Sequence, residues 1–271
     1  MSRKKPAEYS DCHCDLNRDL SLAGKLQQML LPRSSPVCSW CCIGIKNRMA
    51  QGLGGDFYDF LEMPDGCQAL FIGDVTGHGP HASIVMSLIY GYIHGASLER
   101  CEPLAMVNGV NRLLRSYSRR STTYDYLFST TLFFAVIQPE SLKMHYINCG
   151  HVPPLVRRGE ELFRFGTTGP PLGFFEQPEI AAGSFAFRPG DRLLMYTDGI
   201  SEAVNAAGEE YGRGRVEAAL MELDGDHLEF LETADRCMRD FGCALPPADD
   251  CTAIVLDIHS FQSEGQSRHA E

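Results

Sequence analysis

The chain has 271 residues, of which 44% are hydrophobic, and it carries a formal net charge of −11 at pH 7. A chain of this length can bury one sizeable core, so we expect one domain of about 230–250 residues with a short extension. The acidic charge, without a stripe of Lys and Arg residues, argues against a nucleic-acid partner.

The sequence shows no membrane span and no targeting segment. No apolar run approaches the roughly 20 residues that cross a bilayer. The basic start at Arg3, Lys4 and Lys5 is not followed by the apolar segment of a signal peptide. We therefore expect a cytoplasmic protein that does not insert into a membrane.

The cysteines allow two interpretations. There are 11 of them, an odd number, and most lie in apolar, strand-like segments. This pattern is typical of reduced thiols rather than of a disulfide framework. A zinc site is the alternative for four of them, namely Cys12, Cys14, Cys38 and Cys41. The simpler interpretation is that Cys41 and Cys42 begin a buried strand, and the lack of a second C-x-x-C favours it.

The first predicted element is a helix over residues 15–31. Residues 1–14 are polar and expected to fray, and Pro32 ends the helix. Its apolar residues lie near one face, at Leu16, Leu20, Ala23, Leu26 and Leu30. No core precedes this helix in the chain. It therefore either pairs with a second copy of the protein or docks on its own domain.

The rest of the chain mixes short strands with runs of helices. Strands are predicted at 69–73, 131–137, 143–147, 155–158, 161–165, 191–196 and 252–258, and helices at 81–95, 103–117, 214–223 and 227–241. Residues 116–125 form a polar loop. Two strand pairs have hairpin spacing, and the helices do not alternate strictly with strands. We therefore predict an α+β fold with antiparallel sheets. Its divisions are an extension at 1–32, a domain at 33–259 and a polar tail at 260–271.

Aspartates lie beside an apolar strand or a glycine pair in four places, at residues 54–59, 73–79, 196–199 and 249–252. Asp74 and Asp198 follow apolar strands, and Asp249 precedes one. A carboxylate at a strand end is held rigidly yet faces a cleft, and a neighbouring glycine permits close approach. Any one Asp-Gly pair is a common turn, but four in these positions are less readily explained as turns alone.

This set of carboxylates predicts a metal centre. Several carboxylates without Lys or Arg partners repel one another unless a metal neutralises them. Oxygen ligands select Mg²⁺ or Mn²⁺, and two such ions can clamp a phosphate and convert a bridging water into hydroxide. Motifs of P-loop nucleotidases, serine hydrolases and zinc proteases are absent from the sequence. The residues therefore indicate a dinuclear metal hydrolase that acts on a phosphate ester.

Short motifs in order along the chain resemble those of a known family. They are LQQMLLP at 26–32, GGDFYDF at 54–60, GDVTGHG at 73–79, NCGHVPP at 148–154, GPPLG at 169–173, GDRL at 190–193, YTDGISEA at 196–203 and DDCT at 249–252. Together they resemble the SpoIIE/RsbU-type bacterial serine/threonine phosphatases of the metal-dependent, protein phosphatase 2C-like (PPM) superfamily. The resemblance runs from residue 26 to residue 258.

The resemblance implies an α-β-β-α sandwich and a role for each aspartate in binding two Mn²⁺ or Mg²⁺ ions. Asp74 would bridge both ions, and the carbonyl of Val75 would bind one of them. Asp56 would bind one ion, while Asp198 and Asp249 would bind the other. Two further carboxylates, Asp59 and Asp250, would support these ligands or hold a weak third ion, and Gly199 would keep its loop tight. Metal-activated water would then hydrolyse phosphoserine or phosphothreonine without a covalent intermediate.

Three positions bear on how phosphate is recognised. In the eukaryotic branch a histidine follows the bridging aspartate by two residues, whereas His78 follows Asp74 by four, which favours a supporting role over that of general acid. The phosphate-binding arginine of that branch is replaced by Gln51, so recognition would rest on the metals and on docking of the substrate. His151 is expected to anchor its Pro-rich loop.

The resemblance also implies a partner. The usual substrate of the family is a phosphorylated STAS-domain antagonist of an anti-sigma factor, which acts by partner switching. Regulation would come through the helix at 15–31, through a homodimer or through a separate regulator. Two alternatives stay open, a catalytically silent module that docks a STAS protein and a metal-dependent phosphatase of small molecules.

Overall fold

The computed structural model describes residues 10–32, 38–97, 102–120 and 122–260, with the side chains of residues 10–17 left undescribed. Six α-helices lie within these ranges: α1 Ser10–Leu30, α2 Pro80–Ser97, α3 Pro103–Ser118, α4 Asp198–Ser201, α5 Arg213–Glu222 and α6 His227–Phe241. The predicted polar tail at 260–271 lies almost wholly outside the described residues, as does the frayed segment up to residue 9.

Ten strands form two antiparallel sheets. They are β1 Cys41–Arg48, β2 Phe57–Glu62, β3 Gln68–Val75, β4 Thr130–Gln138, β5 Lys143–Cys149, β6 Leu155–Arg158, β7 Glu161–Arg164, β8 Gly183–Ala186, β9 Arg192–Tyr196 and β10 Cys251–Ile258. One sheet has the order β1-β10-β9-β6-β7, and the other has the order β2-β3-β4-β5-β8. The predicted α+β class with antiparallel sheets is confirmed.

The two sheets pack face to face, and helices cover both outer faces. Alternation along β10 shows how the layers are built: Ile254 and Leu256 belong to the cluster between the sheets, whereas Val255 belongs to a second cluster. This follows from the period of two in a strand. In the second cluster Leu220 of α5 and Phe230 of α6 pack on the outer face, while α2 and α3 cover the other sheet. The result is the α-β-β-α sandwich that the resemblance implied.

The sequence pattern located most elements and missed the short or mixed ones. Helix α6 has the predicted bounds, and both predicted hairpins are present as β4 with β5 and β6 with β7. The pattern missed β2, β8 and α4. In α2, Ile84 is 64% exposed while Ile89 and Ile93 are buried. The buried stripe of α2 therefore runs through positions 82, 86, 89 and 93.

Helix α1 differs most from expectation. It begins at Ser10, so the predicted fraying of residues 10–14 is wrong. Its inward face consists of Gly24, Gln27 and the following Leu31, which are buried. Of the predicted apolar face, Leu20, Leu26 and Leu30 are exposed instead. Leu26 and Leu30 share the outward side of the helix with the exposed residues Leu22 and Met29, which the prediction did not include. The helix thus docks on its own domain through a narrow contact and leaves an apolar face uncovered in the described chain.

Candidate metal centre

Five aspartates meet at one edge of the sandwich. The loop before β2 carries Asp56, and the end of β3 carries Asp74. Asp198 begins α4, directly after β9, while Asp249 and Asp250 precede β10. Four of these side chains raise the pKa of the fifth, Asp74, by charge repulsion. The structure therefore brings together all four aspartates that the sequence analysis assigned to metal, with Asp250 beside them.

Asp56 is the most deeply buried member. The hydroxyls of Thr252 and Thr197 donate to its Oδ2 atom at 2.5 and 2.9 Å. Its Oδ1 atom is also buried and has no hydrogen-bond partner. Burial, with a smaller contribution from the charge of Asp250, raises the pKa of Asp56 to about 8. A buried acceptor left without a donor is costly, so this oxygen is suited to binding a cation.

The cluster has no cation of its own. Burial, followed by repulsion from the neighbouring carboxylates, raises the pKa of Asp74 to about 9. Burial and the charge of Asp249 also raise the pKa of Asp198, although Arg213 opposes this weakly. None of the ion pairs among the described residues includes any of the five aspartates. Protons or metal ions are then needed to balance these charges.

Asp250 holds the loop that carries Asp56. Its carboxylate accepts hydrogen bonds from the backbone N–H groups of Ala50 and Gly55, both at 2.8 Å. A side chain at Gly54 would collide with this carboxylate, and a Cβ atom at Gly55 would lie 2.8 Å from the carbonyl oxygen of Val75 and 3.0 Å from Asp74 Oδ1. The two glycines therefore let the loop approach the Asp74 strand closely.

Gly199 has the tight packing expected of it, because a side chain there would collide with the carbonyl of Asp250. This contact keeps the start of α4 against β10. The thiol of Cys251 also donates to the carbonyl of Gly199, at 3.2 Å. Asp198 and Asp249 are thereby carried by two segments in direct contact.

The donor set fits hard divalent cations. It consists of carboxylate oxygens and one nearby carbonyl, that of Val75, with an orphaned buried oxygen on Asp56. Among the described residues, no three His, Cys, Asp or Glu side chains lie close enough together to hold one ion by themselves. Backbone carbonyl and water oxygens would therefore have to complete each coordination shell, as is usual for Mg²⁺.

Asp59 does not belong to this cluster. It accepts hydrogen bonds from the Tyr90 hydroxyl and from His94 Nε2 of α2, and from the backbone N–H of Phe60. The expectation that Asp59 supports the metal ligands or holds a third ion is therefore not met by the geometry. Its position is explained by the pleat of β2, which turns its side chain toward α2 rather than toward the edge of the sandwich.

The histidines and Gln51 occupy different environments. His151 is buried, its Nδ1 atom lies 2.9 Å from the Thr131 hydroxyl, and burial lowers its pKa to about 4. This geometry fits the anchoring role expected of it. His78 and Gln51 are exposed near the centre, and no arginine takes the place of Gln51 in the loop that precedes Asp56.

The sequence analysis missed three residues that support the centre. Thr197 and Thr252 fix the orientation of Asp56, and Gln27 of α1 fixes the same loop. The Gln27 side chain donates to the carbonyl of Gly54 at 2.6 Å and accepts from its N–H at 3.0 Å. Thr197 and Thr252 lie inside quoted motifs, so their position was the available signal. Gln27 also lies inside a quoted motif, LQQMLLP at 26–32, although nothing in the apolar periodicity of the helix marks it.

The proposed zinc site is only partly described, since the side chains of Cys12 and Cys14 lie outside the described residues. The Cys38 thiol donates to Gln68 Oε1 at 3.6 Å, and the neighbouring thiol of Cys41 lowers the pKa of Cys38. Cys41 is buried and Cys42 is exposed, so the simpler interpretation holds for one of these two. The described cysteines are all free thiols.

The fold is that of a PP2C-type phosphatase domain. It superposes on the SiaA-PP2C domain of Pseudomonas aeruginosa with a TM-score of 0.78 at 18% identity, covering 91% of this chain and 98% of that one. RsbX, solved in complex with magnesium, has the same fold at a TM-score of 0.61 and 13% identity, with 83% of this chain and 98% of that chain covered.

The chain belongs to the stage II sporulation protein E (SpoIIE) family, whose model matches residues 64–259. Protein IcfG of Synechocystis is 28% identical over 220 residues, which is 73% of this chain and 35% of that protein. The phosphoserine phosphatase RsbP of Bacillus subtilis is 25% identical over 187 residues, or 68% of this chain and 45% of that protein. The chain thus spans less than half the length of these relatives. No helix among the described residues combines the length and apolar character needed to span a membrane.

Proposed function

We propose that the protein is a metal-dependent serine/threonine phosphatase. The observation that carries the proposal is the cluster of five aspartates at one edge of a PP2C-type sandwich, without a single cationic partner among the described ion pairs. Membership of the SpoIIE family and the likeness to a phosphoserine phosphatase support the same reaction. The proposal assigns the activity to residues 33–259.

Mn²⁺ or Mg²⁺ ions would be held by Asp56, Asp74, Asp198 and Asp249 with the carbonyl of Val75. When bound, such ions lower the pKa of a coordinated water and neutralise phosphate charge. The other residues of the site contribute by orienting the proposed ligands. Thr197 and Thr252 orient Asp56, and the glycines at 54 and 55 admit a close approach of the loop to Asp74.

The phosphate itself meets few protein donors in this arrangement. Gln51 stands where an arginine would grip the phosphate, and an amide offers no charge to an anion. The proposal therefore predicts weak affinity for small phosphate esters and a stronger preference for a phosphoprotein. A phosphorylated STAS-domain antagonist of an anti-sigma factor is the substrate that the family resemblance supports.

Helix α1 is the proposed route of regulation. Its outward face carries four exposed apolar residues, Leu22, Leu26, Met29 and Leu30, and an exposed stripe of this kind favours pairing with a second copy or with a separate regulator. On its inward side, Gln27 contacts the loop of Asp56 directly. A partner that moves α1 would therefore change the metal centre. The free thiols support a cytoplasmic location.

The test is hydrolysis of p-nitrophenyl phosphate and of a phosphorylated STAS-domain protein in Mn²⁺, Mg²⁺ or EDTA. We expect turnover that needs metal and that is lost in Asp74→Asn. Asp240→Asn, at an exposed position of α6, is the matched control and should retain the activity. Turnover that persists in EDTA or in Asp74→Asn would contradict the proposed centre. Binding of the STAS protein without turnover in any metal would favour a silent docking module.

A further inference from the structure

A surface beside the metal centre combines exposed aromatic rings with arginines. The rings are those of Tyr126, Phe174 and Phe175, which are 56, 52 and 55% exposed. The arginines are Arg112 and Arg120 of the α3 region, both exposed. We call these five residues the aromatic–arginine corner. Exposed aromatic and Arg residues side by side are the composition of protein-binding hot spots.

The corner is joined to the metal centre by hydrogen bonds. The Ser129 hydroxyl lies 2.8 Å from the carbonyl of Tyr126 and 2.6 Å from the Thr76 hydroxyl. The Thr76 N–H donates to the Ser129 carbonyl, and the Thr130 hydroxyl donates to the Asp74 carbonyl at 2.7 Å. The segment that presents Tyr126 is therefore fixed to the strand end that presents Asp74.

The two phenylalanines are held outward by a buried amide. Asn111 of α3 accepts from the N–H of Gly173 at 2.9 Å and donates to the carbonyl of Phe175 at 3.0 Å. Gly173 has a positive φ of 96°, and a side chain there would collide with the Phe128 carbonyl. Both polar atoms of the buried Asn111 amide are therefore hydrogen-bonded to the loop that carries Phe174 and Phe175, whose rings face solvent. A preorganised loop loses little entropy when a partner binds.

The corner is positively charged on a chain whose net charge is −11. Arg119, which caps α3, lies seven residues after Arg112 and has helical backbone angles, so the two side chains project in nearly the same direction. Arg115 and Arg119 share one carboxylate, Glu176. Arg112 and Arg120 take part in none of the ion pairs of the described chain, although Arg120 lies over the ring of Tyr117, 4.5 Å from its centroid. This local excess of positive charge would attract an acidic surface.

We propose that the aromatic–arginine corner is the docking surface for the phosphoprotein substrate, and that it binds an acidic and apolar patch next to the phosphorylated residue. The inference rests on the proposed phosphatase function. It is carried by the continuity of the corner with the metal centre and by its charge. The corner would also provide substrate recognition that the site otherwise lacks, because Gln51 takes the place of a phosphate-binding arginine. The phosphate would meet the metals while the flanking surface of the substrate meets Arg112 and the exposed rings.

The experiment compares two substrates in matched variants. Arg112→Glu, Phe175→Ser and their double variant are assayed on a phosphorylated STAS-domain protein and on p-nitrophenyl phosphate. The controls are Arg236→Glu and Leu228→Ser on α6, which packs on the other sheet, with Leu228 as exposed as Phe175. We expect kcat/KM for the protein substrate to fall about tenfold or more in the double variant, mainly through KM. Turnover of p-nitrophenyl phosphate should be unchanged.

Salt gives an independent readout. The KM of the wild-type protein for the phosphoprotein should rise with ionic strength, and this dependence should weaken in Arg112→Glu because a screened attraction has been removed. Equal losses on both substrates would overturn the docking role, and so would unchanged kinetics on the phosphoprotein. A change of sedimentation mass in Phe175→Ser would overturn it in favour of an interface between copies.

Failure of the phosphatase function is distinguishable from failure of the docking surface. If the wild-type protein hydrolyses neither substrate in any metal, the proposed function fails. Binding of the phosphorylated STAS-domain protein in EDTA, measured by titration calorimetry, then tests the corner alone. A Kd weakened about tenfold by the double variant and not by the α6 controls supports the surface. A Kd that is the same in all variants overturns it.

Discussion

Two clusters in this molecule contain buried aspartates, but cationic side chains surround the aspartate in one cluster and other carboxylates surround the aspartates in the other. Asp235 of α6 is buried, and three cations surround it: Arg48 at 2.6 Å, Lys46 at 3.1 Å and Arg239 at 3.3 Å. Within the part of the chain that the structure describes, the five aspartates of the proposed metal centre form no ion pair. Both groups border one cavity between the outer face of the β1 sheet and α6, because Asp235 and Asp249 line the same space.

The difference separates a structural cluster from a binding cluster. Burial favours the neutral form of Asp235, but the hydrogen bonds from Arg48 and Lys46 outweigh it, and the pKa of Asp235 is lowered. In the metal centre burial and mutual repulsion act together, so the pKa values of Asp56 and Asp74 rise to about 8 and 9. The first cluster is balanced within the chain. The second requires protons or external cations to balance it.

The largest expected effect comes from removing one carboxylate charge from each cluster and comparing activity and stability. Asp56→Asn should lower metal-dependent turnover by roughly a hundredfold or more, because it removes a proposed metal ligand, and the metal-free protein should become more stable as repulsion falls. The measurements are kcat on p-nitrophenyl phosphate and urea unfolding in EDTA. A variant that stays active, or that loses stability without metal, would show that Asp56 is held by its threonines for structural reasons.

The same substitution at Asp235 should lower stability and leave activity unchanged. Asp235→Asn leaves Arg48 without its carboxylate partner, while Lys46 keeps only Glu232 at 2.8 Å, so we expect the free energy of unfolding to fall by about 1–3 kcal/mol. The cations are partly exposed and can regain water, which limits the loss. Activity per folded molecule should be unchanged. Urea unfolding and an active-fraction assay check this, and a large drop in kcat would mean that Asp235 is coupled to the metal centre.

The pH dependence of stability sharpens the contrast further. Burial and the neighbouring carboxylates raise the pKa values of Asp56 and Asp74 from the ordinary 3.8 to about 8 and 9 in the folded protein. Between these limits the folded state retains protons that the unfolded state has lost, so stability without metal falls as pH rises. Asp235, with a lowered pKa, contributes stability above its ordinary pKa and loses it as pH falls below that value.

The corresponding measurement is Tm with Mg²⁺ or EDTA from pH 5.5 to 8.5. Metal binding needs deprotonated carboxylates, so the rise in Tm caused by Mg²⁺ should grow with pH. The slope in EDTA should flatten in an Asp56→Asn, Asp74→Asn double variant and persist in Asp235→Asn. A Tm in EDTA that increases with pH over this range would contradict the raised pKa values of the centre.

The sequence was sufficient where local periodicity and local motifs carry the structure. The hairpins and α6 follow from patterns within a few residues, and α6 also has a capping box at Asp226 and Glu229. Asp56, Asp74 and Asp198 were found because glycines adjoin them, and Asp249 and Asp250 because they precede an apolar strand. Strand β8 was missed because its four residues, GSFA, show no alternation that distinguishes them from a loop.

What could not be read from the sequence depends on contacts between distant segments. Whether an aspartate faces cations or other carboxylates is decided by pairs such as Arg48 with Asp235, 187 residues apart. The pairing of Asp59 with α2 and the inward face of α1 are of the same kind. The contact of α1 depends on a glycine and an amide, Gly24 and Gln27, which carry no signal in a hydrophobic pattern.

The smallest expected effect concerns that contact of α1 with the metal centre. Gln27→Leu removes both hydrogen bonds to Gly54 and leaves its N–H and C=O groups without these partners, a local cost of about 1–3 kcal/mol. We expect faster amide hydrogen exchange at Gly54 and along α1, and a several-fold weaker affinity for Mn²⁺, while the global free energy of unfolding changes little. Gln28→Leu, at the exposed neighbouring position, is the matched control. Equal exchange rates in the two variants would show that Asp250, rather than Gln27, orders the loop of Asp56. Helix α1 would then have no direct influence on the proposed metal centre.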